Sequence, residues 1–414
     1  MEKLKYSGRF EAYREELITL RRHFHQYPEL GLKEVETSAF IRKYLEQLGY
    51  DMIPVAPTGL IASHPSQRGK EKLVVLRAEM DALPIQEKTG LPYASRNDGC
   101  MHACGHDAIL ATALVMAKIL AEEGESFPVQ VRFLFEPAEE IGEGAKRMLA
   151  AGALEKRDLA DLAGGTLEKK TGYPMADAFV MFHYAVDQTL GMAVHEGQAS
   201  AMINGMEIHV HGKSSHWCEA SKGIDSIYAA SLVVQAFHDI NQSYVGKGPC
   251  LVGIGTIHGG EYPNIIADHV MLRGNIRACH EEDYLKLKNR IEEKLREIED
   301  ETGTEIEMIF PKEPVLAFAN DPGLTELAGK VGKRVFGERF ILEGEDELFL
   351  SGDNAYRYFQ QTKGLFSVFL AGFPGENHPL HHPEFCLDEE ILPYSLEALY
   401  EIIKETASYH SETL

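Results

Sequence analysis

The sequence lacks a hydrophobic run long enough to cross a membrane. A transmembrane helix needs about 20 consecutive apolar residues, and no stretch of the 414 residues approaches that length. The N-terminal segment reads MEKLKYSGRFEAYREEL, which is charged and helical in pattern and has no apolar segment of signal-peptide length. We therefore expect a cytoplasmic protein that does not insert into membranes.

An excess of basic residues is also missing. The 41 Lys and Arg residues are outnumbered by 64 Asp and Glu residues, which gives a formal net charge of −23 at pH 7. A surface that binds nucleic acid or an anionic membrane needs a basic stripe, so we expect neither partner. A small acidic substrate stays possible, because a locally basic pocket can exist in an acidic protein.

The six cysteines show no spacing typical of a disulfide framework, and we expect most of them to be free thiols in a reducing compartment. With 44% hydrophobic and 25% charged residues, the composition is that of a globular protein and argues against disorder. A chain of 414 residues is too long for one ordinary hydrophobic core, so two domains are expected.

Apolar runs that alternate with helical patterns indicate an α/β fold in both outer parts of the chain. Buried strands are predicted at 72–76, 129–135, 178–182 and 365–370. Helices are predicted at 9–25, 33–48, 106–123, 145–151 and 389–406. Strands that alternate with helices imply a mostly parallel sheet flanked by helices. Such sheets bind their ligands at the carboxyl ends of the strands.

The pattern changes between about 197 and 312, where we predict an inserted α+β domain. Strands are predicted at 205–210, 251–257, 269–277 and 305–310. Two helices separate them, one with an apolar face of Ile224, Ile227, Ala230, Val234 and Phe237, the other with Tyr284, Leu287, Ile291, Leu295 and Ile298. The order β-α-β-β-α-β is ferredoxin-like. The predicted domains are therefore 1–196, 197–312 and 313–414, the first and last forming one domain.

The segment 101–107 reads MHACGHD and brings a thiol, imidazoles and a carboxylate together just before a helix. Cys104 and His106 are two residues apart, so both side chains can face one point. A buried cysteine is more often a small hydrophobic residue than a ligand. The additional histidine and acids nevertheless favour a metal site, because thiolate, imidazole and carboxylate are the ligands of zinc and related ions.

Paired acids and further histidines follow other predicted strands. Glu139 and Glu140 come after the strand 129–135, where one carboxylate could bind metal while its neighbour moves a proton. Adjacent acids also occur at helix starts, where they complement the helix dipole. This is an alternative interpretation of Glu139 and Glu140. His183 is expected at the tip of the strand 178–182. The last ligand is expected from the segment HPLHHP, where His381 competes with His378 and His382.

Several ordered motifs give the chain a resemblance to the M20 metallopeptidase superfamily. It resembles the amidohydrolase branch, subfamily D, which contains hydrolases of N-acyl amino acids, hippurate and auxin conjugates. The motifs span nearly the whole chain: RRHFHQYPEL at 21–30, RAEMDALP at 77–84, MHACGHD at 101–107, PAEE at 137–140, GKSSH at 212–216, Asn264, Arg277 and HHPEF at 381–385.

The resemblance implies a role for each of these residues. Two divalent ions would be bound by Cys104, in the bridging place, with His106, Glu140, His183 and His381. Glu139 would be the general base and acid, and Asp81 would orient this base or a ligand. His216 of the inserted lid and dimerisation domain would polarise the scissile carbonyl in the partner subunit, and Asn264 would contact the tetrahedral intermediate. Arg277 would bind the substrate carboxylate.

The chain departs from the family pattern at a few positions. Glu79 stands where the family often has Asp, and Ile109 stands where many members have a second histidine. Trp217 to Ser221 replace a frequent Pro-His after the lid histidine, and Ser351 to Asn354 read SGDN where the family has SEDF. None of these departures removes a proposed ligand or the base, so the reaction is expected to persist and the specificity to differ.

We therefore expect a dinuclear amidohydrolase that cleaves the amide bond of N-acyl amino acids with metal-activated water, like an aminoacylase or hippurate hydrolase. An M20 dipeptidase or aminopeptidase is the alternative, although we can place no acid for a free α-amino group. An inactive metal-binding regulatory protein is a further alternative, against which Glu139 argues. The ions could be zinc, manganese, nickel or cobalt, and the enzyme is expected to form a homodimer or a higher homo-oligomer.

Overall fold

The computed structural model describes residues 8–159, 173–344 and 350–409. The chain divides into two compact units. The first contains 1–197, 319–343 and 354–414, and the second contains 198–318 and 344–353. That residues 197–312 form an inserted domain remains a prediction. In the described part of the chain, no helix combines the length and the apolar character needed to cross a membrane.

The strands are numbered in chain order. They are β1 (Asp51–Val55), β2 (Gly59–Ser63), β3 (Leu73–Glu79), β4 (Gln130–Glu136), β5 (Ala178–Thr189), β6 (Gly191–His195), β7 (Met202–His211), β8 (Ser215–His216), β9 (Cys250–Gly259), β10 (Ile265–Ile266), β11 (His269–Ala278), β12 (Glu305–Ile309), β13 (Phe340–Glu343) and β14 (Gly364–Gly372).

The α-helices are numbered in the same way. They are α1 (Arg14–Gln26), α2 (Val35–Gln47), α3 (His106–Glu123), α4 (Gly144–Ala150), α5 (Ser226–Ser243), α6 (Glu281–Thr302), α7 (Pro322–Phe336), α8 (Tyr356–Phe359) and α9 (Ile391–Glu405).

The first unit is built on an eight-stranded sheet with the order β1-β2-β4-β3-β5-β14-β6-β13. The pairs β4–β3, β3–β5, β5–β14 and β6–β13 are parallel, and the other pairs are antiparallel. All residues of β3 and β4 are buried, which is typical of central strands covered on both faces. The helix α3 is buried over most of its surface. The predicted α/β class with a mostly parallel sheet is confirmed.

Two details of this sheet differ from the sequence analysis. The strands β1, β2, β6 and β13 were not predicted from the sequence. His183 was expected at a strand tip, which is wrong, because β5 continues to Thr189. Its pairing with β14 runs from Phe179 opposite Gly364 to Thr189 opposite Gly372, so the backbone ladder extends past His183 despite the polar residues that follow.

The second unit contains an antiparallel sheet with the order β12-β7-β11-β9. In chain order these are strands 4-1-3-2, with α5 and α6 as the connecting helices, which confirms the ferredoxin-like order. One residue in two along β7 is buried, because this face packs against the helices and the other does not. The predicted apolar face of α6 is confirmed, since all five residues are buried.

The predicted face of α5 is partly wrong. Ile227 and Val234 are 49% and 40% exposed, and Ile224 precedes the helix. The buried face contains Ala229, Val233 and Ile240 together with the predicted Ala230 and Phe237. The sequence of α5 is apolar around much of its circumference, so periodicity alone does not fix which stripe packs on the sheet.

Candidate metal centre

Potential metal ligands from distant parts of the first unit converge at one place. Three overlapping groups have donor atoms within 4.8 Å of one another: Cys104, His106 and His183; Cys104, Glu140 and His381; and His106, Glu139 and Glu140. Cys104 Sγ lies 3.4 Å from His183 Nε2. Glu140 Oε1 lies 3.7 Å from His381 Nε2. Cys104, His106 and Glu140 each belong to two of these groups, so the donors form one continuous cluster.

The loop before α3 positions Cys104 and His106. Gly105 has φ of 83°, in the left-handed region that glycine adopts at little cost. His106 is the first residue of α3, and its Nδ1 lies 2.8 Å from the carbonyl oxygen of Asp81. This contact fits a ring that donates from Nδ1, which leaves Nε2 available for an ion.

Asp81 connects the ligand loop to the paired acids. It follows β3 and is fully buried. Its Oδ1 accepts the backbone N–H of Glu139 and its Oδ2 that of Glu140, both at 3.0 Å. Burial raises the pKa of Asp81 to about 7, against the opposing effect of His106. One carboxylate thus fixes the backbone of both glutamates.

The paired acids lie in a tight turn and not in a helix. Ala138 has φ of 56°, and its N–H donates to the buried Glu34 at 2.8 Å. The helix α4 begins only at Gly144, where an added Cβ would lie 2.0 Å from the carbonyl oxygen of Pro137. The alternative that Glu139 and Glu140 complement a helix dipole is therefore wrong, because they precede the first turn of α4.

In the segment 378–384, His381 lies near the other candidate ligands, whereas His378 and His382 form a different group. His381 has φ of 66°, and its N–H donates to the carbonyl of Ala103 at 2.8 Å. The rings of His378 and His382 stack at 4.4 Å and form a different group with Glu384. The left-handed backbone of His381 is strained. In this conformation the side chain of His381 lies beside Cys104 and Glu140.

The donor set fits divalent cations. Glu140 Oε1 is buried and accepts no hydrogen bond from the described residues, as expected of an oxygen that binds an ion. Burial, together with Glu140 and Glu139, raises the pKa of Cys104 well above its ordinary value. Burial opposes charge on His106, but Glu140 and Glu79 outweigh it and raise the pKa of His106. An excess of buried negative charge beside thiol and imidazole donors is suited to a cation.

A buried ionic cluster that sequence reasoning missed supports the start of α3. Asp107 and Arg21 are both fully buried, with Arg21 Nε 3.1 Å from Asp107 Oδ2. His25 Nδ1 approaches the same oxygen at 2.8 Å. Burial opposes ionisation of Asp107, but Arg21 and His25 outweigh it and lower its pKa. The spacing of Arg21 and His25, one turn apart on α1, was the available signal.

Glu79, one of the departures from the family pattern, belongs to a buried ion pair. Its Oε1 lies 2.7 Å from Arg77 Nη1, and Arg77 also donates to Glu136 and to Asn354. The link between the ends of β3 and β4 is the hydrogen bond from Arg77 to Glu136. Asn354, another departure, lies in the same network.

The three remaining predicted residues lie in the second unit. His216 and Asn264 are exposed neighbours, with Asn264 Nδ2 3.3 Å from His216 Nε2. Arg277 is half-buried and donates to Asn275 Oδ1 and to the carbonyl of Leu350. Both of these hydrogen-bond partners are neutral.

Comparison with known proteins identifies the family. The model of the family described as Peptidase family M20/M25/M40 matches residues 75–405. The chain belongs to the M20 peptidase family. The recognised resemblance is thereby confirmed, and the protein is an M20 metallohydrolase of amide bonds.

Individual M20 relatives match along most of their length. N-acetyl-L-cysteine deacetylase of Bacillus subtilis is 33% identical over 96% of this chain and 90% of its own. IAA-amino acid hydrolase ILR1-like 4 of Arabidopsis thaliana is 32% identical over 91% and 82%. A Bacillus subtilis structure described as a dinuclear metal binding peptidase of the M20 family is 28% identical, covers 97% of this chain and 100% of its own, and has a TM-score of 0.76.

Proposed function

We propose that this M20 enzyme hydrolyses N-acyl amino acids to a free amino acid and a carboxylic acid. The observation that carries the proposal is the shared donor cluster with Glu139 beside it, because a base next to a cation site serves hydrolysis and not mere binding. Two relatives are named for the hydrolysis of N-acylated amino acids. The proposed ligands of two divalent ions are Cys104, His106, Glu140, His183 and His381.

Glu139 is the proposed proton carrier. When bound, divalent ions supply Lewis acidity, which lowers the pKa of a water and polarises the amide carbonyl. Glu139 takes a proton from the attacking water and delivers it to the leaving nitrogen. Its carboxylate lies within 4.8 Å of the donor atoms of His106 and Glu140, and Asp81 holds its backbone.

Arg277 is proposed to bind the carboxylate of the substrate amino acid. Its hydrogen-bond partners among the described residues of the second unit are the neutral Asn275 and Leu350, and its planar guanidinium matches a carboxylate in two hydrogen bonds. His216 and Asn264 are proposed to stabilise the oxyanion in the site of a partner subunit of a homodimer. Their exposure and mutual contact agree with a role in trans.

The Glu139→Gln variant tests the base. It should retain its metal ions and lose turnover of N-acetyl amino acids by about 10²-fold or more. Glu143→Gln is a matched control, because Glu143 lies four residues away and pairs with Arg147 at 3.7 Å on the surface. Retained activity of Glu139→Gln, with metal content measured by mass spectrometry, refutes the assignment.

A substrate panel tests the reaction class. Acetyl-, benzoyl- and longer acyl-amino acids should be hydrolysed faster than dipeptides with a free α-amino group, assayed with zinc, manganese, nickel and cobalt in turn. Faster cleavage of unblocked dipeptides would support the M20 peptidase alternative. One related structure is described as a peptidase, which is why this alternative is tested.

Subunit mixing tests the dimer. His216→Ala and Glu139→Gln variants are each expected to be nearly inactive, and mixed dimers should regain part of the activity through one intact composite site. The absence of rescue, with mixed dimers verified by mass, removes the shared site and leaves the assignment of Glu139 intact.

Two further proposals concern the ions and the compartment. Metal analysis of the purified protein should find close to two divalent ions per chain, and a chelator should abolish activity. A cytoplasmic location is proposed because no disulfide joins the six cysteines in the described part of the chain, which is usual in a reducing compartment. Fractionation of cells that express the tagged protein checks the location.

A further inference from the structure

A second cluster of histidines lies in the second unit and shares no residue with the proposed dinuclear ligands. His209, His211 and His269 have ring nitrogens within 4.8 Å of one another. His209 and His211 lie on β7, and His269 begins β11, directly opposite His211 in the ladder. The proposed hydrolysis uses none of these side chains.

The antiparallel pairing explains why the three rings meet. His209 and His211 are two residues apart, so they project from the same face of the sheet. His269 projects from that face too, because directly opposed residues lie about 4.5–5.5 Å apart at Cβ. The ring centroids are 4.9 Å apart for His211 and His269, and 5.4 Å for His209 and His269. The helices of this unit pack on the opposite face, which leaves the rings half-exposed or exposed.

The closest pair has the spacing of two ligands on one ion. His209 Nδ1 lies 3.2 Å from His269 Nε2. Two imidazoles on a tetrahedral ion with metal–nitrogen bonds near 2.0–2.1 Å hold their nitrogens roughly 3.3–3.4 Å apart. The third histidine is already within 4.8 Å, so small rotations of the exposed side chains complete a three-imidazole site.

Acidic neighbours surround the cluster. Glu207 Oε2 lies 3.6 Å from His209 Nε2, the ring nitrogen opposite the one that faces His269. A carboxylate behind a ligating imidazole orients the ring and increases its basicity. Glu305 and Glu307 on β12 lie directly opposite His211 and His209. Arg273 is the nearby cation, and it pairs with Glu207 at 2.9 Å.

From this geometry we infer that His209, His211 and His269 bind one late first-row divalent transition ion, such as Zn²⁺. This site shares no ligand with the dinuclear centre. A water completes the coordination, and neutral imidazoles are ligands that zinc, nickel and copper prefer.

Equilibrium dialysis against Zn²⁺ tests the site in the full chain with its other ions in place. The wild type should bind one zinc ion per chain more than the double variant His209→Gln/His269→Gln. The control is His258→Gln, because His258 is an exposed histidine of the adjacent strand β9, opposite Met271. It should bind as much zinc as the wild type. Equal zinc content in the wild type and the double variant overturns the inference, whatever the dinuclear centre binds.

A measurement on the unmodified protein covers the case of a variant that does not fold. Diethyl pyrocarbonate labels accessible histidines, and mass spectrometry locates the label. Zn²⁺ should protect His209, His211 and His269 from labelling and leave His258 as reactive as before. Unchanged labelling of the three histidines at millimolar zinc contradicts the site.

Discussion

Asp81→Asn should disable the enzyme although Asp81 is not one of the proposed ligands. The carboxylate accepts two backbone N–H groups in a buried site. An asparagine can accept only one of them, and its NH₂ group then faces the other N–H. The substitution removes one charge-assisted hydrogen bond of about 1.5–3 kcal/mol and leaves a buried donor unpaired. The turn that holds Glu139 and Glu140 is expected to shift in response.

The expected effect on activity follows from that shift. A displacement of about 1 Å at a catalytic group can cost about 10²-fold in rate, and disturbed support of a ligand costs about 10–100-fold in metal affinity. The assay measures kcat with N-acetyl amino acids at saturating zinc, beside zinc affinity by competition with a chelating dye.

Asp177→Asn is the matched control for this experiment. Asp177 also accepts a backbone N–H, from Leu73 at 2.8 Å, and pairs with Lys156. Asp177 immediately precedes β5 and contacts the first residue of β3, whereas Asp81 follows the last residue of β3. The control should keep its kcat. A kcat of Asp81→Asn within about twofold of the wild type, or an equal loss in both variants, refutes the reasoning.

Three other predictions concern stability, ion uptake and substrate binding. Asp107→Ala should lower the free energy of unfolding, measured in urea, by about 3–5 kcal/mol, because it removes a buried partner of Arg21. The control Glu326→Ala, at an exposed position, should leave the free energy of unfolding unchanged. A small decrease for Asp107→Ala would contradict this account. The affinity of the chelator-treated enzyme for zinc should rise by up to about tenfold per pH unit between pH 6 and pH 8. The reason is that Cys104, whose pKa is raised, must lose its proton before it can bind the ion. A zinc affinity that does not change with pH would contradict this prediction. Arg277→Gln should raise KM for an N-acyl amino acid roughly 10–100-fold and leave its carboxamide analogue unaffected; equal effects on both would argue against carboxylate binding.

The sequence predicted elements well where one local pattern determined the outcome. The buried stripe of α6 was correct because its remaining positions are mostly charged. The α5 stripe was partly wrong, because Ile227 and Val234 offered an equally apolar face. The strands β1, β2, β6 and β13 have four or five residues each. Such strands depend on partners that are distant in sequence, which a local pattern does not contain.

The candidate site shows the same division. The grouping of Cys104, His106 and Glu140 could be expected, because ligands at the carboxyl ends of neighbouring strands meet at one edge of a sheet. The hydrogen bonds that stabilise the turn with Glu139 and Glu140 could not be predicted from the sequence. Glu34 binds the N–H of Ala138 across 104 positions of sequence, and only the folded backbone brings them together.

The protonation of Cys104 has a consequence for handling the protein. Oxidants and alkylating reagents attack thiolates and not thiols. In the enzyme stripped of its ions, burial and acidic neighbours keep this sulfur protonated and shielded. Iodoacetamide should therefore label the exposed Cys218 first, and a preparation stored without metal should remain able to regain its ions after long exposure to air.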